Sequence, residues 1–168
     1  GFNAQEQRKL RDCSSGSVMV HASNFSIGIN FLLDMTERAA VLLGEDYDVE
    51  ICEMHHRHKV DAPSGTALSI GEAAAKGAGL DLVKAGTRVR DGIIGPRKKS
   101  TIGFATLRGG SVVGDHTVIF AGDGERIELT HKAMDRNVFA AGAVRAALWT
   151  EGRSFGYYSM REVLSLGK

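Results

Sequence analysis

The spacing of apolar residues changes along the chain, and each change predicts an element. Residues 2–12 (FNAQEQRKLRD) pattern as a short amphipathic helix, and Ser14-Ser15-Gly16 breaks it. Residues 17–22 (SVMVHA) then read as a short buried strand. A helix followed by a strand suggests the last unit of an alternating α/β sheet. Residues 26–44 form the longest helix candidate, with Ser26 placed to cap its start and Gly44 to end it. That helix is apolar on most of its faces, as expected for one lying between layers.

Residues 47–56 predict a strand, with Val49, Ile51 and Cys52 as its apolar members, and it runs directly into a row of histidines. Residues 60–64 are a loop broken by Pro63, and residues 65–79 are an alanine-rich helix. Residues 84–100 are rich in glycine and arginine and show no clear period. Residues 101–107, 111–121 and 126–133 read as three antiparallel strands joined by Gly109-Gly110 and Gly122-Asp123-Gly124. Residues 137–150 predict a third long helix, and residues 159–166 a last short one. The expected fold class is therefore α+β, with a mixed sheet of about four strands covered by helices.

Composition narrows the function classes. The 168 residues are 43% hydrophobic and 24% charged, which is globular rather than disordered or fibrous. Twenty-one Lys+Arg against 20 Asp+Glu leave a net charge of +1, too little excess for nucleic acid to be the expected partner. No apolar run approaches the ~18 residues of a membrane span, and no secretory signal pattern opens the chain. Two cysteines, Cys13 and Cys52, do not make a disulfide framework, so a reducing, cytoplasmic compartment is expected. The opening Gly1-Phe2-Asn3 reads like the middle of a longer chain, so a piece of a larger protein is expected.

The chemistry gathers in residues 53–68, EMHHRHKVDAPSGTAL. His55, His56, Arg57, His58 and Lys59 lie where a strand leaves its sheet, a common place for active sites in α/β sheets. Pro63-Ser64-Gly65-Thr66 follows, immediately before a helix. The first N–H groups of a helix carry the positive end of its dipole, and Gly65 lets a ligand approach the backbone. Ser64 or Thr66 can add a hydroxyl. Together these predict an anion cradle, for a small carboxylate as readily as a phosphate. No GxxxxGK[ST] is present, so it is not a Walker loop. A histidine beside such a cradle can donate a proton.

Two rival readings of that segment are a zinc site, as in a metal-dependent hydrolase, and a solvated basic loop. His55 and His56 should point to opposite faces of an extended strand, and no Cys or acid pair completes a zinc set, so no metal is expected. The basic loop alone does not account for PSGT at a helix start. For residues 84–99 the bland reading wins: Lys84, Arg88, Arg90, Arg97, Lys98 and Lys99 read as a solvated, mobile loop. His21, His116 and His131 read as structural, and Phe104, Phe120 and Phe139 as core.

EMHHRHKVDAPSGTAL resembles the signature of the dihydrodipicolinate reductase family, the 4-hydroxy-tetrahydrodipicolinate reductases of the diaminopimelate route to lysine. Residues 23–28 (SNFSIG), 103–114, 131–133 with Arg136, and 142–149 are similar to the same family. The resemblance covers essentially the whole chain, but family members begin with a GxGxxG-type dinucleotide-binding half of which nothing precedes Gly1. It implies a C-terminal remnant of a Rossmann-like domain over 1–25, a substrate-binding and oligomerisation domain over 26–136, and a segment over 137–168 returning to the cofactor domain. It further implies His55 as general acid, Lys59 as its catalytic partner, and His56, Gly65 and Thr66 as substrate-carboxylate contacts. Gly1, Asn24, Phe25 and Arg136 would border the cofactor, NADPH or NADH. The implied substrate is a cyclic dicarboxylate, and the implied assembly is a homotetramer built through the substrate-domain sheet. A non-catalytic dicarboxylate-binding and assembly fragment is the alternative.

Overall fold

The computed structural model describes residues 2–166. It divides into two compact units: Phe31–Arg136, and the chain before Phe31 together with the chain after Arg136. The division falls inside a helix, after Asn30, about one turn beyond residue 26.

The larger unit is an α+β structure built on a five-stranded mixed sheet. Its elements are the greater part of α2 (Ile27–Leu43), β2 (Asp48–His55), α3 (Gly65–Gly77), α4 (Leu82–Ala85), β3 (Gly86–Thr87), β4 (Ile102–Arg108), β5 (Gly114–Ala121) and β6 (Arg126–Ala133). The strand order is β3-β4-β2-β5-β6. The expected three-stranded antiparallel meander is corrected here. β4 does not pair with β5; β2 lies between them, parallel to β4 and antiparallel to β5. The helix between β2 and β4 gives the reason, because parallel neighbours require a long crossover. Only β5 and β6 form a hairpin.

Alternate residues of each strand face α2 and α3, as the period of two demands. Val49 and Ile51, Ile102 and Phe104, Val118 and Phe120 form the core with Ala67, Ile70, Ala74 and Ala75 of α3 and Leu32 and Ala40 of α2. α3 packs closely because it is lined with small residues: a methyl on Gly71 would fall 2.6 Å from Phe104 Cζ. On β2 the same face turns polar at its last two positions, where Glu53 and His55 are buried.

Residues 84–100 also depart from expectation. The loop is anchored, not merely solvated. Arg90 grips Glu50 with two N–H groups at 2.6 and 2.7 Å. Arg97 donates to Asp48 at 2.6 Å, to Glu50 at 3.0 Å and to the carbonyls of Val49 and Thr101. The planar guanidinium fork suits such carboxylate pairs, and it ties the loop to β2.

The smaller unit holds α1 (Ala4–Cys13), β1 (Val18–Val20), α5 (Asn137–Trp149), β7 (Gly156–Tyr158) and α6 (Met160–Val163). Asn3 and Glu6 form a capping box at the start of α1. β1 pairs in parallel with β7, a strand too short to show a period in the sequence. Its core is Ala146, Met160 and Val163, with Val20, Ala22, Phe25, Trp149 and Leu164 packed around them.

Candidate functional site

The site grows from the C-terminal end of β2. Glu53 and His55 are two residues apart on a strand, so both side chains leave the same face. His55 Nδ1 lies 2.6 Å from Glu53 Oε2. Arg108, which ends β4 opposite His55 in the parallel register, donates to both oxygens of Glu53 at 2.7 and 2.9 Å. Burial opposes ionisation of Glu53, but the Arg108 guanidinium and the His55 ring hold its carboxyl below the usual glutamate value.

The same carboxylate reaches the start of α3. Ser64 N–H donates to Glu53 Oε1 at 3.0 Å, and Ser64 Oγ caps the helix by accepting from Ala67 N–H at 3.1 Å. Gly65 and Thr66 head the helix where its dipole is positive. Through Glu53, therefore, the histidine and the helix start are held within one hydrogen-bonded cluster. A methyl on Gly65 would meet nothing within 4 Å, so the space over the helix start is open. A methyl on Gly114 would fall 2.9 Å from His55 Nε2, so the glycine at the start of β5 makes room for the ring.

His116 sits beside this cluster. Its ring packs edge-on against His55 with centroids 5.0 Å apart, and its Nε2 lies 3.1 Å from Ser64 Oγ. Burial, reinforced by the neighbouring His55, pushes its pKa down to about 4. Nδ1 of His116 is buried and has no hydrogen-bond partner among the described residues. Protonating the ring would leave a buried, charged N–H at Nδ1 without an acceptor, so the ring stays neutral, with Nε2 and Ser64 Oγ sharing one hydrogen bond.

A stability trend follows, with its sign set by a lowered histidine. Unfolded His116 takes up a proton near its ordinary value of 6.5, whereas the folded residue resists down to about 4. The unfolded state thus binds more protons in that window, and stability falls as pH drops from 6.5 towards 4, by about 2–3 kcal/mol from this residue. Urea unfolding at pH 7 and pH 4.5 is expected to show that loss in the native chain and a shallower one in His116→Gln. Equal losses in both would assign the trend to other groups.

The remaining sequence-derived residues fall as follows. Lys59 pairs with Asp61 at 2.8 Å and keeps about a fifth of its side chain exposed. His56 borders an open depression with Arg57, His58, Gly110, Ser111 and Arg136. Burial, then the charges of Arg136 and His58, lower its pKa. Asn24 and Phe25 belong to the smaller unit. Asn24 Oδ1 accepts from Ser26 N–H at 2.8 Å and its carbonyl accepts from Asn30 Nδ2 at 2.9 Å, so the turn into α2 is fixed. Gly142 lets α5 touch that turn, since a methyl there would fall 1.8 Å from the Phe25 carbonyl oxygen. Gly1 lies outside the described residues. Among those residues no three His, Cys, Asp or Glu side chains are grouped to hold a metal ion.

Glu53, Arg108 and the bridging role of Ser64 were missed from the sequence. For Glu53 the signal was available: an acid two positions before a histidine, on a strand whose buried face runs Val49, Ile51, Glu53, His55. Arg108 carried no such signal, because it reaches Glu53 only through the β2–β4 pairing.

The family described as "Dihydrodipicolinate reductase, C-terminus" matches residues 28–164 of the chain. The chain belongs to the dihydrodipicolinate reductase family. Relatives named 4-hydroxy-tetrahydrodipicolinate reductase include one from Beijerinckia indica subsp. indica, 56% identical over 99% of this chain, and one from Brucella abortus, 55% identical over the same share. The chain spans 62% of the length of each. A dipicolinate-bound dihydrodipicolinate reductase from Paenisporosarcina sp. TG-14 superposes with a TM-score of 0.71 at 22% identity, over 95% of this chain and 60% of that one. At that identity the likeness speaks for the dihydrodipicolinate reductase fold alone.

Proposed function

We propose that this chain supplies the substrate-binding and proton-donating part of an NAD(P)H-dependent oxidoreductase that converts 4-hydroxy-tetrahydrodipicolinate to tetrahydrodipicolinate in lysine biosynthesis by the diaminopimelate route. The observation that carries the reading is the single hydrogen-bonded cluster joining His55, Glu53 and the start of α3. It sits in a chain more than half identical to proteins bearing that reductase name.

In this reading His55 delivers a proton from Nε2 to the substrate. Gly65 and Thr66 receive one carboxylate at the positive end of α3, and His56 meets the substrate from the side of Arg136. Lys59 can keep its bond to Asp61 and still direct another ammonium N–H at the substrate, since it has three. The bound nicotinamide supplies hydride. The residues of this chain that would border it are Asn24, Phe25 and Arg136; the fixed turn at Asn24–Phe25 suits a rigid edge for a planar ring. The rest of its site, and the choice between NADH and NADPH, would lie in the part of the relatives' length that this chain does not span. By itself the chain would bind the dicarboxylate and present the proton without reducing anything.

A homotetramer formed through the sheet face opposite the helices is part of the same proposal. Leu107 on that face is 49% exposed, and Cys52, Met54 and Ile119 are half-buried. A cytoplasmic setting is supported by Cys13 and Cys52, both free thiols.

Calorimetric titration with pyridine-2,6-dicarboxylate tests the cradle. The native chain is expected to bind it. Gly65→Ala is expected to leave stability unchanged, because its methyl enters open space, and to weaken binding at least tenfold, about 1.4 kcal/mol, because that space is where a carboxylate approaches. Equal affinities would place the ligand elsewhere.

A further inference from the structure

We infer that Glu53 is the positioning residue for His55: held ionised by Arg108, it fixes the ring with a proton on Nδ1 and leaves Nε2 as the atom that faces the ligand. This deepens the proposed function and rests on it for the identity of the ligand, but not for the state of the ring.

Glu53 is 2% exposed and receives three N–H groups, two from Arg108 and one from the Ser64 backbone. A carboxyl in such company is ionised and can only accept. Its fourth close neighbour is His55 Nδ1 at 2.6 Å, at the short edge of charge-assisted bonds. Two acceptors would repel there, so Nδ1 must carry hydrogen in the neutral ring as well as in the charged one. Nε2 is then the position that loses and regains a proton. It lies close to Gly114, where a methyl would fall 2.9 Å away, so the missing side chain leaves the ring room. This is the geometry of an oriented acid, with one nitrogen fixed and the other exchanging.

Glu53 also sets the distance between acid and cradle. One oxygen holds the histidine and Arg108; the other holds Arg108 and Ser64, the residue that caps α3. Arg108 extends the tie by donating to the Asp61 carbonyl at 2.7 Å, so the loop between β2 and α3 is fastened at its middle and at its end. His116 packs edge-on against the ring and shares a hydrogen bond with Ser64, and its neutrality keeps a second positive charge away from His55. No residue of this arrangement other than His55 needs to touch the ligand.

The test is nitrogen-15 NMR of the histidine rings in the 168-residue chain, where the two-bond hydrogen–nitrogen pattern reports which nitrogen is protonated. At a pH where His55 is neutral, the native chain is expected to show the Nδ1–H form alone. Neutral His55 protonated on Nε2 would overturn the inference without any variant being made. In Glu53→Gln the ionised acceptor is lost, and His55 is expected to become a mixture of both forms. Should that variant not fold, Arg108→Gln leaves Glu53 in place and is expected to broaden or shift the low-field Nδ1 proton. An unchanged His55 pattern in a folded Glu53→Gln chain would reduce Glu53 to a packing role. Titration with pyridine-2,6-dicarboxylate separates this result from the functional reading. Binding that fails in a native chain with the Nδ1–H form would sink the cradle and leave the positioning role standing.

Discussion

Replacing His55 with alanine in a full-length reductase carrying this sequence is expected to lower kcat by about 10²–10⁴-fold, the range for a lost general acid. The effect should fall on the chemical step. His55 is 9% exposed and is carried by β2 rather than α3, so the carboxylate contacts proposed for Gly65 and Thr66 should survive the truncation. KM for the dicarboxylate should therefore change several-fold at most, and cofactor binding should be unaffected. Steady-state rates at saturating nicotinamide cofactor, followed at its reduced-form absorbance, read both constants. A kcat within threefold of the native value would remove His55 from the chemistry and turn attention to Lys59. A large rise in KM with kcat intact would make His55 a binding group instead.

The second large effect is on stability. Arg108→Met keeps the apolar stem of the side chain but strips Glu53 of two charged hydrogen bonds. Glu53 has a side chain only 1% exposed, so its carboxylate cannot turn to water for replacement partners. Breaking a buried pair commonly costs about 3–5 kcal/mol, and about 3 is expected here because the arginine end is one-fifth exposed. Urea unfolding at pH 7 measures it. The pH dependence has a definite sign. Glu53 ionises more readily in the folded chain, so its contribution is complete above the ordinary glutamate value and disappears as pH falls through its lowered one. Without Arg108 the buried carboxyl can relieve itself by taking a proton, so the deficit of the variant should shrink on acidification. A variant as stable as the native chain at pH 7 would mean that water or another group satisfies Glu53.

Much of this site was readable in the residue order. A strand delivering histidines, then Ser-Gly-Thr at the head of a helix, predicts a proton donor beside an anion cradle; the structure places Ser64, Gly65 and Thr66 at that helix start. The long helices were legible too, because their periodicity extends over several turns. What was not legible depends on residues far apart in sequence. The strand, helix, strand order of β2, α3 and β4 is itself a sign of parallel pairing, but the glycine turns after β4 carry the pattern of a local meander. With that pairing misread, Arg108 could not be brought to Glu53. The basic stretch of residues 84–100 misled for a related reason. Charge on a chain looks the same whether it meets solvent or a distant carboxylate, and only the fold shows Arg90 and Arg97 closing on Glu50 and Asp48.

The parallel register of β2 and β4 has a consequence for how the molecule matures. His55 stands opposite Arg108, and the same alignment carries Ile51 opposite Phe104 in the core. A slip of one residue would turn Arg108 to the other face of the sheet and strand Glu53 without its partner. A chain caught in such a misaligned state would still have a helix start able to attract anions, but its histidine would swing without a fixed proton. Correct strand assembly and a fixed His55 ring are thus acquired in a single event, so in a full-length reductase carrying this sequence a misaligned population should bind without being able to catalyse, and refolding assays that score ligand capture should run ahead of those that score turnover.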